Sequence, residues 1–296
     1  MTATLIDGKI VAKQIRMEAK KRTKVLKESG VTPGLAAVLV GEDPASMVYV
    51  NSKARTCKKL GLYSEVITRP ADISQDELIR IVNDLNDNDR IHGILVQSPL
   101  PKHIDELAVT LAIRADKDVD GFHPYNVGML LINRPQMISC TPYGIVKLLE
   151  YYELDPSGKE VVVVGRSNIV GKPIAAMLMQ KGPWANATVT VAHSRTADLA
   201  GVCRRADILI AAIGRPEMIT SDMVKEGAIV IDVGTNRIDD PQAEKGYRLV
   251  GDVAFDEVAE KASFISPSPG GVGPMTIAML ISNTVSAAER LSDAAK

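Results

Sequence analysis

Short apolar runs alternate with amphipathic stretches along the whole chain, and this alternation predicts strands separated by helices. In the first half, apolar runs predict strands at 35–40, 65–68 and 91–97. Helical patterns are predicted around Tyr49 and Lys53 up to Gly61, over 74–86, and over about 104–114. Ser74 is placed to cap the second of these helices, with Glu77 completing a capping box. Strands joined by helices imply crossover connections and therefore a parallel sheet.

The second half repeats this alternation. Thr141 and Pro142 open a helix that runs to about Tyr152, and this helix is predicted to bridge two domains. Five further strands are predicted, at 160–164, 188–192, 208–213, 228–233 and 248–250. A last helix, from about Met275 to Leu291, has apolar residues at helical spacing, so it must pack on another element. The pattern therefore predicts an α/β protein.

Composition narrows the class of protein further. Hydrophobic residues make up 46% of the 296 residues and aromatic residues only 4%, so the core must be aliphatic, as buried parallel strands are. A formal net charge of −1 argues against a nucleic-acid-binding protein. The sequence shows no apolar signal core at its start and no apolar run of membrane-spanning length. We therefore expect a cytoplasmic protein that makes no membrane contact.

The three cysteines, Cys57, Cys140 and Cys203, are widely separated. They form no Cys-x-x-Cys pair and no cluster with histidine, which argues against both a disulfide framework and a zinc site. We expect thiols that are buried or partly buried in a reducing compartment, and no bound metal.

A glycine turn between a predicted strand and a predicted helix is a candidate nucleotide site. Gly165 and Gly171 are six residues apart, one more than in the usual dinucleotide fingerprint, and Ser167 takes the place of the middle glycine. A glycine permits the turn, and the backbone N–H groups at the start of a helix favour a phosphate. A purely structural turn is the alternative.

The end of the next strand indicates which nucleotide would bind. NAD-preferring domains commonly end this strand in Asp or Glu, which binds the ribose hydroxyls. Here the strand ends in His193-Ser194-Arg195-Thr196. Ser194 and Arg195, together with Arg166, could bind a 2′-phosphate that an acidic residue would repel. NADP is therefore favoured over NAD, with a solvated loop charge as the alternative role of Arg195.

Tyr49, Lys53 and Gln97 are candidates for chemistry. The first two lie about one helical turn apart and project from the same helix face. An aromatic ring can hold a flat substrate, and a buried lysine beside it can move a proton. Gln97 ends an apolar strand, where it could hydrogen-bond Lys53 or a substrate. A surface pair and a satisfied amide at a strand end are the structural alternatives.

Two further segments are candidates for a substrate site. In Lys117-Asp118-Val119-Asp120, extended backbone would point the carboxylates in opposite directions, so one could bind a polar heterocycle edge while the other pairs elsewhere.

The segment 266–276 contains three glycines and three prolines, a composition incompatible with a helix or a central strand. Such backbone is typical of a loop that closely approaches a ligand.

Six ordered motifs resemble those of the bifunctional methylenetetrahydrofolate dehydrogenase/cyclohydrolase family. They are Tyr49-x-x-x-Lys53, Gly93-Ile-Leu-Val-Gln97-x-Pro-Leu-Pro101, Lys117-Asp-Val-Asp-Gly121, Cys140-Thr-Pro-x-Gly144, Gly165-Arg-Ser-x-x-Val-Gly171-x-Pro173 and Pro269-Gly-Gly-Val-Gly-Pro-Met-Thr276. The resemblance covers nearly the whole chain. Ser98, Ser139 and Ser268 depart from the residues common in the family, and none of them carries a chemical role.

The resemblance implies a two-lobed α/β protein with its substrate cleft between the lobes. The implied first lobe comprises 1–140 with 275–296, binds tetrahydrofolate derivatives, and is covered by the last helix, which packs back on it. The implied second lobe, 141–274, is a Rossmann-like, doubly wound parallel sheet that binds NADP. A homodimer is also implied.

The same resemblance implies the reaction and the site residues. Such enzymes oxidise 5,10-methylenetetrahydrofolate with NADP and hydrolyse the 5,10-methenyl product to 10-formyltetrahydrofolate. Lys53 would move protons in the hydrolysis, and Gln97 would hold and tune it. Tyr49 would stack on the folate rings and Asp120 would hydrogen-bond the pterin edge. The other implied contacts are Pro269, Gly270, Gly273 and Pro274 for the substrate, and Gly165, Arg166, Ser167, Gly171, Ser194, Arg195 and Thr235 for NADP.

Three other classes of protein share features with this sequence. Motif order excludes a short-chain dehydrogenase, because its nucleotide-binding glycines precede the Tyr-x-x-x-Lys pair. A monofunctional dehydrogenase remains an alternative, since residues around Lys53 could suppress the hydrolysis. An NADP-binding regulatory protein is disfavoured, because binding alone would not need that lysine together with Gln97 and Asp120.

Overall fold

The computed structural model describes residues 2–243 and 246–294. These residues form two compact units. The first unit comprises Gln14–Cys140 with the described residues from Ile277 onward, and the second comprises the described residues up to Lys13 with Thr141–Thr276. Residues 2–13 thus group with the second half of the chain, whereas the sequence analysis assigned them to the first lobe. None of the described helices combines the length and the apolar character needed to cross a membrane.

The elements follow one another as the alternating pattern predicts. Up to residue 139 they are β1 (Thr4–Leu5), α1 (Gly8–Glu28), β2 (Gly34–Val40), α2 (Pro44–Leu60), β3 (Tyr63–Arg69), α3 (Gln75–Asp87), β4 (Gly93–Val96), α4 (Glu106–Ala112) and α5 (Pro124–Leu131). From residue 140 they are α6 (Cys140–Tyr151), β5 (Glu160–Val164), α7 (Gly171–Leu178), β6 (Thr188–Ala192), α8 (Leu199–Cys203), β7 (Ile208–Ala211), β8 (Ile229–Asp232), β9 (Asn236–Asp239), β10 (Tyr247–Val250), α9 (Phe255–Ala259), β11 (Phe264–Ile265) and α10 (Val272–Ala294).

The first unit is built on a three-stranded parallel sheet in the order β3-β2-β4. All seven residues of the central strand β2 are buried, as expected for an apolar strand covered on both faces. Its Ala36 and Val38 pack in one core cluster with Leu78 and Val82 of α3. The three strands that the sequence predicted in this half are confirmed.

Local capping signals place the ends of the helices around this sheet. The Asp43 carboxylate accepts a hydrogen bond of 2.8 Å from the backbone N–H of Ser46 and so caps α2. The helix stops at Gly61, whose φ of +85° lies in the left-handed region that glycine tolerates. The Ser74 side chain likewise accepts from the N–H of Glu77, at 3.2 Å, and starts α3. The predicted stop at Gly61 and the predicted cap at Ser74 are both confirmed.

The second unit is built on a six-stranded parallel sheet in the order β1-β11-β8-β7-β5-β6. The chain runs outward from β5 to β6 and then crosses to β7 on the other side of β5. Val164, at the end of β5, lies opposite Ala192 of β6 and Ala211 of β7. This reversal is the doubly wound arrangement, and ligands of such sheets bind beyond the carboxyl ends of the strands at the reversal.

Residues 248–250 do not belong to this parallel sheet, contrary to the sequence prediction. β10 pairs antiparallel with β9, and the two strands form a separate hairpin. Along β9, partly buried and exposed residues alternate, which is the pattern of a sheet with one solvated face. A strand of only four residues does not show from sequence alone whether it will pair in parallel or form a hairpin.

The last helix begins earlier than the sequence predicted. α10 starts at Val272, so Gly273 and Pro274 lie in its first turn. Proline is tolerated there because the first N–H groups of a helix have no partner within the helix. The expectation that 266–276 contains no helix is therefore wrong for its last part.

The rest of α10 packs on the first half of the chain, as predicted. Arg22 of α1 donates a hydrogen bond of 2.7 Å to Ser286 Oγ and forms an ion pair with Glu289. Both partners lie on α10, and this part of the helix groups with the first unit.

Candidate active site

Lys53 is the centre of a polar cluster in the first unit. α2 places Tyr49 and Lys53 on one face, with the lysine Nζ 5.2 Å from the centroid of the tyrosine ring. Lys53 is only 5% exposed, whereas Tyr49 is 39% exposed. The ammonium is therefore shielded, while the aromatic ring offers a face on which a planar ligand could stack.

Gln97 provides the hydrogen-bond acceptor for this buried lysine. It follows β4, and its Oε1 accepts a hydrogen bond of 3.0 Å from Lys53 Nζ. The other end of its amide is also engaged, because Nε2 donates to the Ser98 carbonyl at 2.7 Å. This second bond fixes the orientation of the amide, so that oxygen and not nitrogen faces the lysine. From sequence alone, Gln97 could equally bind Lys53 or a substrate.

Asp118 and Asp120 have different surroundings, as the sequence analysis expected. Asp118 is buried, and its Oδ2 accepts from the backbone N–H of His123 and from Asn126 Nδ2, both at 2.8 Å. Burial raises the pKa of Asp120 to about 6, the charge of Lys53 lowers this pKa, and Asp118 raises it. Asp118 thus stabilises the loop by its hydrogen bonds, whereas the Asp120 carboxyl lies close enough to Lys53 for the charge of the lysine to affect its pKa.

Backbone packing holds the Asp120 loop in place. Gly121 has a φ of +74°, and a Cβ at this position would lie 2.5 Å from the backbone nitrogen of Ser139. The thiol of Cys140 donates to the Val119 carbonyl at 3.3 Å, and its Sγ lies 4.0 Å from Asp120 Oδ1. From sequence alone, Cys140 is recognisable only as a free thiol and as part of a motif.

The glycine turn of the second unit brings its segments into close contact. Gly165 has a φ of +134°, and a Cβ there would lie 2.1 Å from the carbonyl oxygen of Ala212. A Cβ on Gly171 would lie 2.2 Å from the Gly165 carbonyl oxygen. Ser167 Oγ accepts from the N–H groups of Val170 and Gly171, at 3.1 and 3.3 Å. Both glycines are thus required by packing, and the serine supports the start of α7 in a turn one residue longer than usual.

The residues predicted to bind the nucleotide follow adjacent strands. Arg166 follows β5, and Ser194 and Arg195 follow β6, its parallel neighbour. In the second turn, Thr196 Oγ1 accepts from the His193 N–H at 3.0 Å. Arg166, Ser194 and Arg195 are exposed, and no acidic residue follows β6 in this turn. Cationic and hydroxyl groups at this edge fit the phosphates of NADP, including its 2′-phosphate.

A pair of buried carboxylates, Asp232 and Asp252, shapes the loops after β7 and β8. The Asp252 carboxylate accepts hydrogen bonds of 2.6–3.0 Å from three successive backbone N–H groups, at 213–215, and one of 2.9 Å from Asn236 Nδ2. The Asp232 carboxylate accepts from the N–H groups at 234, 252 and 253. Burial raises the pKa of Asp232 to about 7. The exposed Thr235, a predicted NADP contact, lies between two residues of this network.

The proline–glycine segment also belongs to the second unit. Ser268 Oγ donates to the Gly234 carbonyl at 2.5 Å, and the Gly271 N–H donates to the Pro267 carbonyl at 2.8 Å. A Cβ on Gly8 would lie 1.7 Å from the Gly271 carbonyl oxygen, so the start of α1 packs directly on this segment. Pro269 and Gly270 precede α10, whereas Gly273 and Pro274 lie in its first turn.

The predicted residues thus fall into two groups. Tyr49, Lys53, Gln97 and Asp120 belong to the first unit, and the predicted nucleotide contacts and the proline–glycine segment belong to the second. Among the described residues, no group of three or more His, Cys, Asp or Glu side chains could hold a metal ion.

Comparisons with known proteins match both halves of the chain. A family model described as the catalytic domain of tetrahydrofolate dehydrogenase/cyclohydrolase matches residues 6–120, and one described as the NAD(P)-binding domain of the same enzymes matches residues 139–292. The bifunctional protein FolD of Moorella thermoacetica is 58% identical over 290 residues, which cover 98% of this chain and 100% of that protein.

Solved structures give the same result. The bifunctional methylenetetrahydrofolate dehydrogenase/cyclohydrolase FolD from Campylobacter jejuni superposes with a TM-score of 0.92 at 49% identity, over 98% of this chain and 99% of that one. The Trypanosoma brucei enzyme, solved with NADP cofactor and an inhibitor, superposes with a TM-score of 0.93 at 40% identity, over 99% of both chains.

Proposed function

Because this chain belongs to the tetrahydrofolate dehydrogenase/cyclohydrolase family, we propose that the cluster around Lys53 carries out its chemistry on the folate. The protein is a bifunctional enzyme of one-carbon metabolism. It oxidises 5,10-methylenetetrahydrofolate to the 5,10-methenyl form with NADP, and hydrolyses that product to 10-formyltetrahydrofolate. The observation that carries the proposal is the bond between buried Lys53 and Gln97, beside the ring of Tyr49.

The oxidation needs positioning more than acid–base catalysis. When bound, NADP would supply the acceptor for a hydride from the methylene carbon, and the lone pair of the neighbouring folate nitrogen would stabilise the resulting cation. The protein therefore has to hold the folate ring in one orientation. In the proposal, the exposed ring of Tyr49 stacks on the folate, and the Asp120 carboxyl hydrogen-bonds the polar edge of the pterin.

The hydrolysis needs proton transfers, and Lys53 is the proposed carrier. Water adds to the methenyl carbon and loses a proton, which leaves a hydroxyl on that carbon. The bond from the carbon to N5 then breaks as N5 gains a proton and the hydroxyl loses its own, so that the formyl C=O forms and one proton is released overall. As a neutral amine, Lys53 accepts the proton that the water loses, and the resulting ammonium delivers a proton to N5. Its hydrogen bond to Gln97 keeps Nζ in one place, and its burial keeps bulk water from competing.

The second unit supplies the proposed NADP contacts. Gly165, Ser167 and Gly171 allow the pyrophosphate to approach the start of α7, and Arg166, Ser194 and Arg195 bind the 2′-phosphate. Thr235 is a further proposed cofactor contact. For the substrate, the proposed additional contacts are Pro269, Gly270, Gly273 and Pro274. The domain bounds proposed are 1–140 with 275–296 for folate and 141–274 for NADP.

We also propose that the enzyme is a cytoplasmic homodimer that binds neither nucleic acid nor membranes. The three cysteines are free and buried, which suits a reducing compartment. The net charge of −1 provides no general attraction for a polyanion.

The variant Lys53→Met tests the proposal, because it keeps most of the side-chain volume and removes the amine. Purified wild type and variant are assayed with methylenetetrahydrofolate and NADP, and formation of the methenyl product is followed separately from its hydrolysis. The expected result is that the wild type catalyses both steps while the variant fails to hydrolyse methenyltetrahydrofolate. Hydrolysis by the variant at the wild-type rate would refute the role of Lys53.

A further inference from the structure

Asn283 of α10 joins the two backbone segments that surround Asp120. Its Nδ2 donates to the carbonyl of Val119 at 2.8 Å and to the carbonyl of Ile138 at 2.9 Å. A side-chain amide nitrogen has two hydrogens, so these two bonds use both of them. The Sγ of Cys140, 3.7 Å away, is then a secondary contact. Asn283 is 6% exposed, so water cannot easily replace these bonds.

The Val119 carbonyl is the point where this bridge meets the Asp120 loop. It accepts from Asn283 Nδ2 and also from the thiol of Cys140 at 3.3 Å. A carbonyl oxygen has two lone pairs, so its capacity as an acceptor is filled. The peptide group that this carbonyl belongs to leads directly into Asp120. Rotation of that peptide would therefore break both bonds before it moved the carboxylate.

The other side of the loop is fixed by close contact. A Cβ on Gly121 would lie 2.5 Å from the Ser139 nitrogen and 2.7 Å from the Ile138 carbonyl carbon. The Gly121 turn therefore rests on the same segment whose Ile138 carbonyl Asn283 binds. Asn283 thus hydrogen-bonds both segments, and the spacing between these segments determines the position of Asp120.

We propose that Asn283 is a positioning residue that holds Asp120 in the geometry needed to bind the folate substrate. The inference rests on the proposed role of Asp120 in substrate binding. Asn283 acts through the backbone and touches neither the substrate nor the cofactor. The charged and titratable groups around the Asp120 carboxyl are Lys53 on α2, Asp118 on its own loop and Cys140 on α6. If the Asp120 carboxyl moved, its distances from these groups would change, and its pKa would change with them.

The test compares Asn283→Leu, which has a similar volume and no donor, with Thr284→Val. Thr284 is the next residue on α10, is fully buried, and its hydroxyl donates to the Leu280 carbonyl of its own helix at 2.8 Å. It therefore controls for a lost buried hydrogen bond at the same depth. A second variant, Asn283→Ser, leaves room for water and is less disruptive to folding.

We expect both Asn283 variants to raise the KM for methylenetetrahydrofolate about tenfold, with the KM for NADP within about twofold of wild type. The acidic limb of the pH profile of methenyltetrahydrofolate hydrolysis should shift as well. Thr284→Val should show neither effect. The proposal is overturned if the folate KM and the pH profile of both Asn283 variants match those of Thr284→Val. It is also overturned if both Michaelis constants rise together, or if neither variant folds, because each result indicates a purely structural role.

Asp120→Ala separates this inference from the function on which it rests. If Asp120→Ala leaves the folate KM unchanged, the proposed role of Asp120 fails. If Asp120→Ala raises the folate KM and the Asn283 variants do not, only the positioning role of Asn283 fails.

Discussion

Lys53 and Gln97 are joined by a hydrogen bond of 3.0 Å, from the lysine Nζ to the amide Oε1, across 44 positions of the chain. α2 presents the lysine, and the segment after β4 presents the amide. The amide is itself held by the Ser98 carbonyl, so neither side chain can rotate freely. The buried amine therefore has one defined position, which a group that transfers protons requires.

This relationship predicts that Gln97→Leu will impair the hydrolysis more than the oxidation. Without the Oε1 acceptor, Lys53 loses its bond and its fixed position, and we expect hydrolysis to slow by roughly tenfold to a hundredfold. The oxidation, which needs no proton carrier, should slow less. The two rates are measured separately with methylenetetrahydrofolate and with methenyltetrahydrofolate.

Ser98→Ala is the matched control for Gln97→Leu. It changes the adjacent side chain and preserves the carbonyl that Gln97 Nε2 binds, so both rates should stay close to those of the wild type. An equal loss of both activities in Gln97→Leu would mean that Gln97 serves the substrate site as a whole and not the lysine.

Ser194→Asp is expected to weaken the discrimination in favour of NADP. A carboxylate at the end of β6 would repel a 2′-phosphate, so the KM for NADP should rise by about tenfold or more, equivalent to ~1.4 kcal/mol. The KM for NAD should change less. The ratio of the two Michaelis constants is the measurement.

Arg205→Ala controls for a change in charge on the same unit. Arg205 forms a 2.9 Å ion pair with Glu160 and is not a proposed contact of the nucleotide. If Ser194→Asp changed the NADP and NAD constants by the same factor, Ser194 would not lie at the 2′-phosphate.

Gly171→Ala should destabilise the protein and impair NADP binding. A Cβ there would lie 2.2 Å from the Gly165 carbonyl oxygen, so backbone would have to move at the glycine turn. We expect a loss of about 1–3 kcal/mol in the free energy of unfolding, together with a higher KM for NADP. Urea unfolding and steady-state kinetics measure the two effects.

Gly128→Ala is the opposite case and serves as the control. Gly128 lies within α5, and a Cβ there would meet no atom within 4 Å. Because alanine restricts the unfolded chain more than glycine does, this variant should be neutral or more stable by up to about 1 kcal/mol. Equal stabilities of Gly171→Ala and Gly128→Ala would contradict the packing argument for the glycine turn.

Asp120→Asn should flatten the pH dependence of stability between about pH 4 and pH 6. Burial raises the pKa of Asp120 to about 6 in the folded protein, with Lys53 lowering and Asp118 raising this pKa. The value in an unfolded chain is about 4. The folded state therefore holds the proton more tightly, and the contribution of this carboxyl to the free energy of unfolding falls as the pH rises through that window.

The difference between wild type and Asp120→Asn should be on the order of 1 kcal/mol, since the carboxyl is only partly buried and solvent screens it. Urea unfolding at several pH values measures it, with the exposed Asp89→Asn as the control. If wild type and Asp120→Asn showed the same slope, Asp120 would not titrate in this window.

Elements with a strong local pattern could be read from the sequence. β5 and β6 have the predicted bounds, because continuous or β-branched apolar runs specify buried strands without reference to the rest of the chain. The helix ends at Gly61 and Ser74 were equally clear, because a cap is a contact between a side chain and nearby backbone. The family resemblance carried by the motifs around Lys53, Gln97 and Gly165 also indicated the reaction class.

Elements that exist only through distant pairing were missed or misread. β1 and β11 are two residues long, and each is a strand only because of its neighbours in the sheet. The basic helix α1 was also missed, although its buried residues Val11, Ala12, Ala19 and Leu26 recur at helical spacing. Residues 248–250 have a strand pattern, but their hairpin partner decided their direction.

The sequence by itself thus determined the α/β class and the strands of each sheet with a continuous apolar pattern, and it supplied the candidate residues for the chemistry. Only the tertiary structure decided how those residues are supported. The bond from Asn283 to the Val119 carbonyl spans 164 positions, and the bonds that Asp252 accepts come from the loop after β7 and from Asn236 at the start of β9. The physical reason is that capping and hydrophobic periodicity act within a few residues, whereas a buried polar group takes whichever partner the folded chain brings to it.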